Sequence, residues 1–165
     1  MREILFRGKS IMRGEWIYGY LNQHRGNIRY DCDCEPIADG CYYINDWQTK
    51  IETGMYGQDY KVDSSTVGRF TGLTDRNGVK IFEGDIIRWH DNTELSVGGQ
   101  IAEVCFGKYR DADSAFDDVY AIGFYLRTSG GECVTICWLD EYQNDFDIIG
   151  NIYDNPELLE VSGNE

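Results

Sequence analysis

Proline and histidine each occur only twice in the 165 residues, methionine occurs three times, and no apolar run approaches 18 residues. The last absence argues against a membrane-spanning helix. The scarcity of histidine leaves His24 and His90 as the only side chains that titrate near neutrality without perturbation. His90 follows Trp89 at the end of an apolar run, where a loop position is expected rather than a catalytic one. Equally absent are the glycine-rich phosphate loops, the H-E-x-x-H zinc signature and the G-x-S-x-G nucleophile elbow. Basic side chains are also few, 15 Lys and Arg against 29 Asp and Glu, for a net charge of −14. Such a balance disfavours a nucleic-acid partner bound through broad phosphate neutralisation.

What is plentiful is glycine, at 19 residues, and aromatic side chains, with seven Phe, twelve Tyr and four Trp. Aromatics favour strands, and glycine with so little proline suits short strands joined by tight turns. At this length a chain buries roughly two-thirds of its unfolded surface and needs no disulfide to fold. Charge is unevenly spread: residues 1–66 carry 8 basic and 10 acidic groups, and residues 67–165 carry 7 and 19. Within the first thirty residues the sign reverses, with Arg2, Arg7, Lys9, Arg13, Arg25 and Arg29 against Glu3 and Glu15. This asymmetry serves either solubility or electrostatic pairing between subunits or with a basic partner.

The cysteines are Cys32, Cys34, Cys41, Cys105, Cys133 and Cys137. The N-terminus reads directly as a strand rather than a secretory leader, so a cytoplasmic location with free thiols is expected. On one strand Cys133 and Cys137 would lie about 13 Å apart and could not bridge each other.

Period-2 alternation places Trp16, Tyr18 and Tyr20 on one face of a strand over 15–21, paired first with 2–7. Further strands are expected at 27–32 and 41–47, and 48–64 reads as an irregular connection. Asn77-Gly78 between the apolar runs 67–73 and 79–82 predicts a tight hairpin, both residues tolerating positive φ. Strands at 86–89, 100–106, 119–126, 132–138 and 146–152 follow. Tyr120, Ile122, Phe124 and Leu126 share one face of theirs, and Val134, Ile136 and Trp138 one face of the next, which together suggest one core. Asn155-Pro156 predicts a helix cap followed by a short helix over 156–160. The fold class expected is mainly β: a small closed or half-closed antiparallel, SH3-like barrel in the C-terminal part, with a smaller N-terminal β unit and a short C-terminal helix. Residues 1–60 would form the N-terminal unit and 61–165 the barrel-like domain, or the two would be one continuous domain.

Three segments carry a family likeness. The start Met1-Arg2-Glu3-Ile4-Leu5-Phe6-Arg7, the central run from Thr66 to Ile87, and the end from Ile148 to Leu159 together resemble the YopX family of phage and prophage proteins. The motif residues are Gly68, Phe70, Thr71, Gly72, Asp75, Asn77, Gly78, Glu83, Gly84, Asp85, Gly150, Asn151, Tyr153, Asn155 and Pro156. The resemblance implies a phage- or prophage-encoded intracellular protein, predominantly β and self-associating, with no established enzymatic activity and no catalytic residues to carry over. The Cys-x-Cys stretch 31–40 and the acidic insertion 111–118 lie outside the shared motifs.

Those motif residues also read physically as turn and bend chemistry. Glu83 and Asp85 would serve as a functional carboxylate pair only beside a base, metal or substrate pocket that the sequence does not display. The strongest metal candidates are Cys32, Cys34 and Cys41, completed by His24 or Asp31, although the spacing is not a recognised zinc pattern and ordinary reduced thiols are the competing reading. No cofactor is expected. The aromatic residues Trp16, Tyr18, Tyr20, Tyr42, Tyr43 and Trp47 either pack in core and interface or stack single-stranded bases, and the overall charge favours packing. The expectation is a non-enzymatic accessory protein acting through protein contacts as a homo-oligomer. Two alternatives stand beside it. One is an acidic decoy of a host DNA-binding protein, using Asp111, Asp113, Asp117, Asp118, Asp140, Glu141, Asp145 and Asp147. The other is an enzyme with an unrecognised site using Glu83, Asp85 or a cysteine.

Overall fold

The computed structural model describes residues 4–23, 42–46, 58–89, 101–110, 120–136 and 146–160. The chain divides into two units, Met1–Arg69 and Phe70–Glu165. It is mainly β, its strands forming two antiparallel sheets. The expected strand at 27–32 lies outside the described residues.

The first unit contains β1 (Phe6–Lys9), β2 (Trp16–Gln23), β3 (Tyr42–Asp46) and β4 (Gln58–Val62), and the start of β5 (Gly68–Thr74). Their order is β4-β3-β2-β1-β5. Strand β4 occupies part of the segment expected to be irregular, and the expected boundary at residue 60 falls inside it. Its alternation is short but legible: Tyr60 and Val62 turn to the core while Asp59 and Lys61 are exposed. Ile17, Ile44 and Val62 form that core, with Phe6, Leu21, Tyr42, Tyr60 and Val67 packed around them. Ser64–Thr66 form a 3₁₀ turn whose preceding Asp63 accepts hydrogen bonds from the Ser65 hydroxyl and amide at 2.8 and 2.9 Å. These bonds hold the Asp63 carboxyl below its ordinary value. Thr66 Oγ1 accepts the Lys9 amide at 2.8 Å, which ties this corner to β1.

The second unit takes up β5 from Phe70 and continues with β6 (Lys80–Phe82), β7 (Asp85–Trp89), β8 (Ile101–Tyr109), β9 (Ala121–Thr128), β10 (Cys133–Thr135) and β11 (Phe146–Asn151). Five of these make a sheet in the order β10-β9-β8-β7-β11. A closed form of the expected barrel is not seen, because the sheet is open among the described residues, with β10 and β11 as its edges. Closure requires the edge strands to pair with a consistent stagger, and β10 is only three residues long. Ile81, Ile87, Ala102, Val104, Leu126 and Phe146 form the buried core of this unit, with Leu73, Phe124, Ile136 and Ile148 against them. A second correction concerns β9. Leu126 is fully buried, yet Tyr120 and Ile122, placed on the core face by alternation, are exposed because, among the described residues, the β8–β9 ribbon runs on past the other strands. The C-terminal helix is a single 3₁₀ turn over Pro156–Leu159, and Asn155 makes no side-chain cap bond to it.

Candidate functional site

The motif residues converge on two clasped turns of the second unit, apart from Gly68, which pairs with Arg7 in the first. At the β5–β6 hairpin the buried Asp75 carboxylate accepts the amides of Asn77 and Val79 at 2.8 and 2.9 Å. Backbone bonds Gly78 N to Asp75 O and Asp75 N to Val79 O complete the turn, each at 2.9 Å. Within residues 75–79 only Gly78 takes positive φ, at 78°, so the expected two-residue Asn-Gly turn is instead a longer one organised by Asp75. Asn77 stays at negative φ because the aspartate bonds, rather than its own backbone, set the reversal. Thr71 is buried, donates from Oγ1 to the Ile81 carbonyl at 3.0 Å and accepts the Leu73 amide at 3.1 Å. This local bonding spans the bulge at Gly72, where the register of β5 on β6 shifts. Phe70 stacks at a tilt on Phe82, ring centres 5.5 Å apart.

The bend that follows is held in the same way. Asp85 is 1% exposed and accepts the Phe82 amide at 2.7 Å. Its carboxylate is therefore engaged in closing the Phe82–Asp85 bend, while Glu83 beside it is half-buried. Gly84 donates to the Val104 carbonyl at 2.8 Å and accepts the Ile152 amide at 2.9 Å, knitting the bend to β8 and to the C-terminal turn. In that second turn Asn151 Oδ1 accepts the amides of Tyr153 and Asp154, each at 3.0 Å, and its Nδ2 donates to Asp154. Gly150 lies so close to Asn155 that a Cβ there would stand 2.6 Å from Asn155 Oδ1. Pro156 begins the 3₁₀ turn. Asp147, one of the acidic residues of the decoy reading, pairs with Arg76 at 2.5 Å and accepts Asn77 Nδ2 at 3.2 Å, linking the hairpin tip to β11.

One polar cluster was not legible in the sequence. Register brings Glu103 opposite Arg127 and Cys105 opposite Tyr125, and Arg127 bonds Glu103 at 2.6 Å. Tyr109 stacks on Tyr125 with ring centres 4.8 Å apart. Burial pushes the Cys105 thiol up to about 12, the Glu103 charge adding to the effect and Arg127 opposing it. A thiol so placed is overwhelmingly protonated at neutral pH and is a poor nucleophile. The only advance indication was the alternation of Glu103 and Cys105 along one strand, which does not reveal what stands opposite.

Two surfaces are more open. On the β8–β9 ribbon, Phe106 and Phe124 meet edge to face at 5.0 Å and Lys108 sits 4.2 Å over the Tyr120 ring. Ile122 there is 79% exposed and Tyr120 56%. On the first unit, register places Trp16, Tyr18 and Tyr20 of β2 with Tyr43 and Asn45 of β3 on the face opposite the core.

Cys32, Cys34, Cys41, His24 and Asp31 lie outside the described residues, as do Trp47, His90, Cys137 and the acidic residues 111–118, 140, 141 and 145. Among the described residues no group of three or more His, Cys, Asp or Glu side chains is placed to hold a metal ion. No described helix is long and apolar enough to cross a membrane.

The family model described as YopX protein matches residues 5–160, nearly the whole chain, and the chain belongs to that family. No curated protein matches it. Among solved structures it is similar to protein EF1440 from Enterococcus faecalis, at 21% identity over 96% of this chain and 99% of that one, with a TM-score of 0.48.

Proposed function

We propose that this member of the YopX family is a non-enzymatic phage or prophage accessory protein that works in the host cytoplasm through protein contacts, as a homo-oligomer. The observation that carries this reading is the exposed end of the β8–β9 ribbon. A strand face with Ile122 and Tyr120 at 79% and 56% exposure beside Phe106 is costly to leave in water. Residues 121–124 of β9 pair with β8 on one side and with no second strand among the described residues. The segment carries neither charge nor proline, the devices that usually protect an edge. An edge of this kind pairs with its own copy about a two-fold axis, which closes the assembly.

The engagement of Asp75, Asp85 and Asn151 in turn hydrogen bonds supports a structural rather than chemical role for the motifs. The suppressed nucleophilicity of Cys105 points the same way. Native mass spectrometry of the full chain tests the reading directly. A discrete oligomer that Ile122→Lys converts to folded monomer is expected, and a wild-type monomer across the micromolar range rejects self-association.

A further inference from the structure

The face of the first sheet opposite its core presents a row of rings. Trp16, Tyr18 and Tyr20 alternate along β2, and Tyr43 stands diagonally from Tyr20 on β3, since Tyr20 pairs with Asn45 and Asn22 with Tyr43. Tyr18 and Tyr20 are 48% and 44% exposed, so these rings are not sequestered as core. Rings two residues apart on a strand lie about 7 Å from one another, twice the ~3.4 Å repeat of a stacked nucleic-acid strand. One base fits each interval.

The charge of this face opposes that of the chain as a whole. Register adds Arg7 and Lys9 of β1, opposite Tyr18 and Trp16, and Lys61 of β4, opposite Tyr43. The Arg7 guanidinium lies 4.8 Å over the Trp16 ring and is buried at 5% exposure, so the cations of this face that reach water are the half-buried Lys9 and the exposed Lys61. Among the described residues of the face the acidic group is Asp59, which accepts Asn45 Nδ2 at 2.9 Å. Among the described residues, Lys9 and Lys61 against Asp59 leave this face positive in a chain with net charge −14, a local reversal of sign. Aromatic rings interleaved with cations are what single-stranded nucleic acid requires: stacking that tolerates any base, and a few phosphate contacts. The acidic remainder would repel a duplex wrapped more widely, so a narrow track suits a single strand.

We infer that this face binds single-stranded nucleic acid through base stacking on Tyr18 and Tyr20, flanked by Trp16 and Tyr43. Fluorescence anisotropy of the full chain with labelled oligothymidylate and oligouridylate about twelve nucleotides long is the test, a length within the site sizes of small stacking domains. Binding is expected with a log–log salt slope near −1.4, about 0.7 for each of Lys9 and Lys61. Tyr18→Ala and Tyr20→Ala should each weaken it roughly five- to hundredfold, whereas Tyr18→Phe and Tyr20→Phe, which keep the rings, should retain it. Lys61→Gln should flatten the slope by about 0.7 without removing a ring, which keeps the inference testable if an alanine variant fails to fold. Ile122→Lys, on the other unit, should leave the affinity per chain unchanged, separating this inference from the proposed self-association. No binding at low salt, or binding indifferent to loss of the rings, overturns it. So does an oligomer that the Tyr18→Ala and Tyr20→Ala variants dissociate, which would make the face a contact between copies of the chain.

Discussion

Replacing Gly150 by alanine isolates one close approach between β11 and the turn that follows it. The new Cβ would lie 2.6 Å from Asn155 Oδ1 and 3.0 Å from both Cβ and Cγ of the same residue. Asn155 cannot simply withdraw, because its amide donates to the Asn151 carbonyl at 2.9 Å and its carbonyl accepts the Leu158 amide at 3.1 Å. Relief must come from rotation of the side chain or movement of the turn, and overpacking of this kind costs about 1–3 kcal/mol. At a central value of about 2 kcal/mol and a urea m-value of about 2 kcal/mol/M, the midpoint should fall by about 1 M. Asn155→Gly removes all three close atoms. In the double variant the alanine should therefore cost at least 1 kcal/mol less than it does alone, a coupling readable from a double-mutant cycle. Equilibrium urea unfolding of the four proteins, followed by circular dichroism and by tryptophan fluorescence, supplies the numbers. A Gly150→Ala protein within about 0.5 kcal/mol of wild type, or additive effects in the cycle, would refute the reasoning.

Asp85→Ala should destabilise the second unit by roughly 2–4 kcal/mol, since it leaves the Phe82 amide buried without its charged acceptor, and Asp85→Asn should recover part of the loss. Thermal melts that barely move would return Asp85 to the list of functional carboxylates. The raised thiol of Cys105 has a definite pH consequence. A folded-state value near 12 against the ordinary 9.0 means that its contribution is complete below about pH 9 and declines as pH rises from there towards 12. The wild type should accordingly lose about 2 kcal/mol more than Cys105→Ala by about pH 10.5, and parallel pH–stability curves would disprove this. Breaking the Asp147–Arg76 pair by Arg76→Ala should cost no more than about 1 kcal/mol, because Arg76 is 42% exposed and solvent screens the pair. A larger loss in urea unfolding would show the hairpin clasp to be stronger than a surface ion pair.

Turn chemistry was readable residue by residue because its causes are local. Asp75, Gly78, Gly84 and Asn151 act on amides within four positions of themselves or take backbone angles that glycine alone favours, so a bend at 74–79 and another at 83–85 follow from the residues present. Mainly β character followed equally from alternation and aromatic content. Even within this local reach the order of partners escaped notice, since Asp75 rather than Asn77 organises the hairpin, and Asn155 packs against Gly150 instead of capping a helix. Alternation says which side chains share a side of a strand but not whether anything covers that side. Leu126 and Ile122 occupy the same face of β9, one wholly buried and the other 79% exposed, and the extent of the neighbouring described strands separates them. Pairing across strands was likewise out of reach, because the register that sets Cys105 against Tyr125 depends on contacts twenty residues distant. The amino-acid sequence by itself determined where the chain bends, the described strands other than β4, and the surplus of negative charge. Tertiary structure alone decided that the second sheet is open among the described residues, that Cys105 is sequestered, and that Tyr18 and Tyr20 face water, since burial and local field are properties of what packs around a residue.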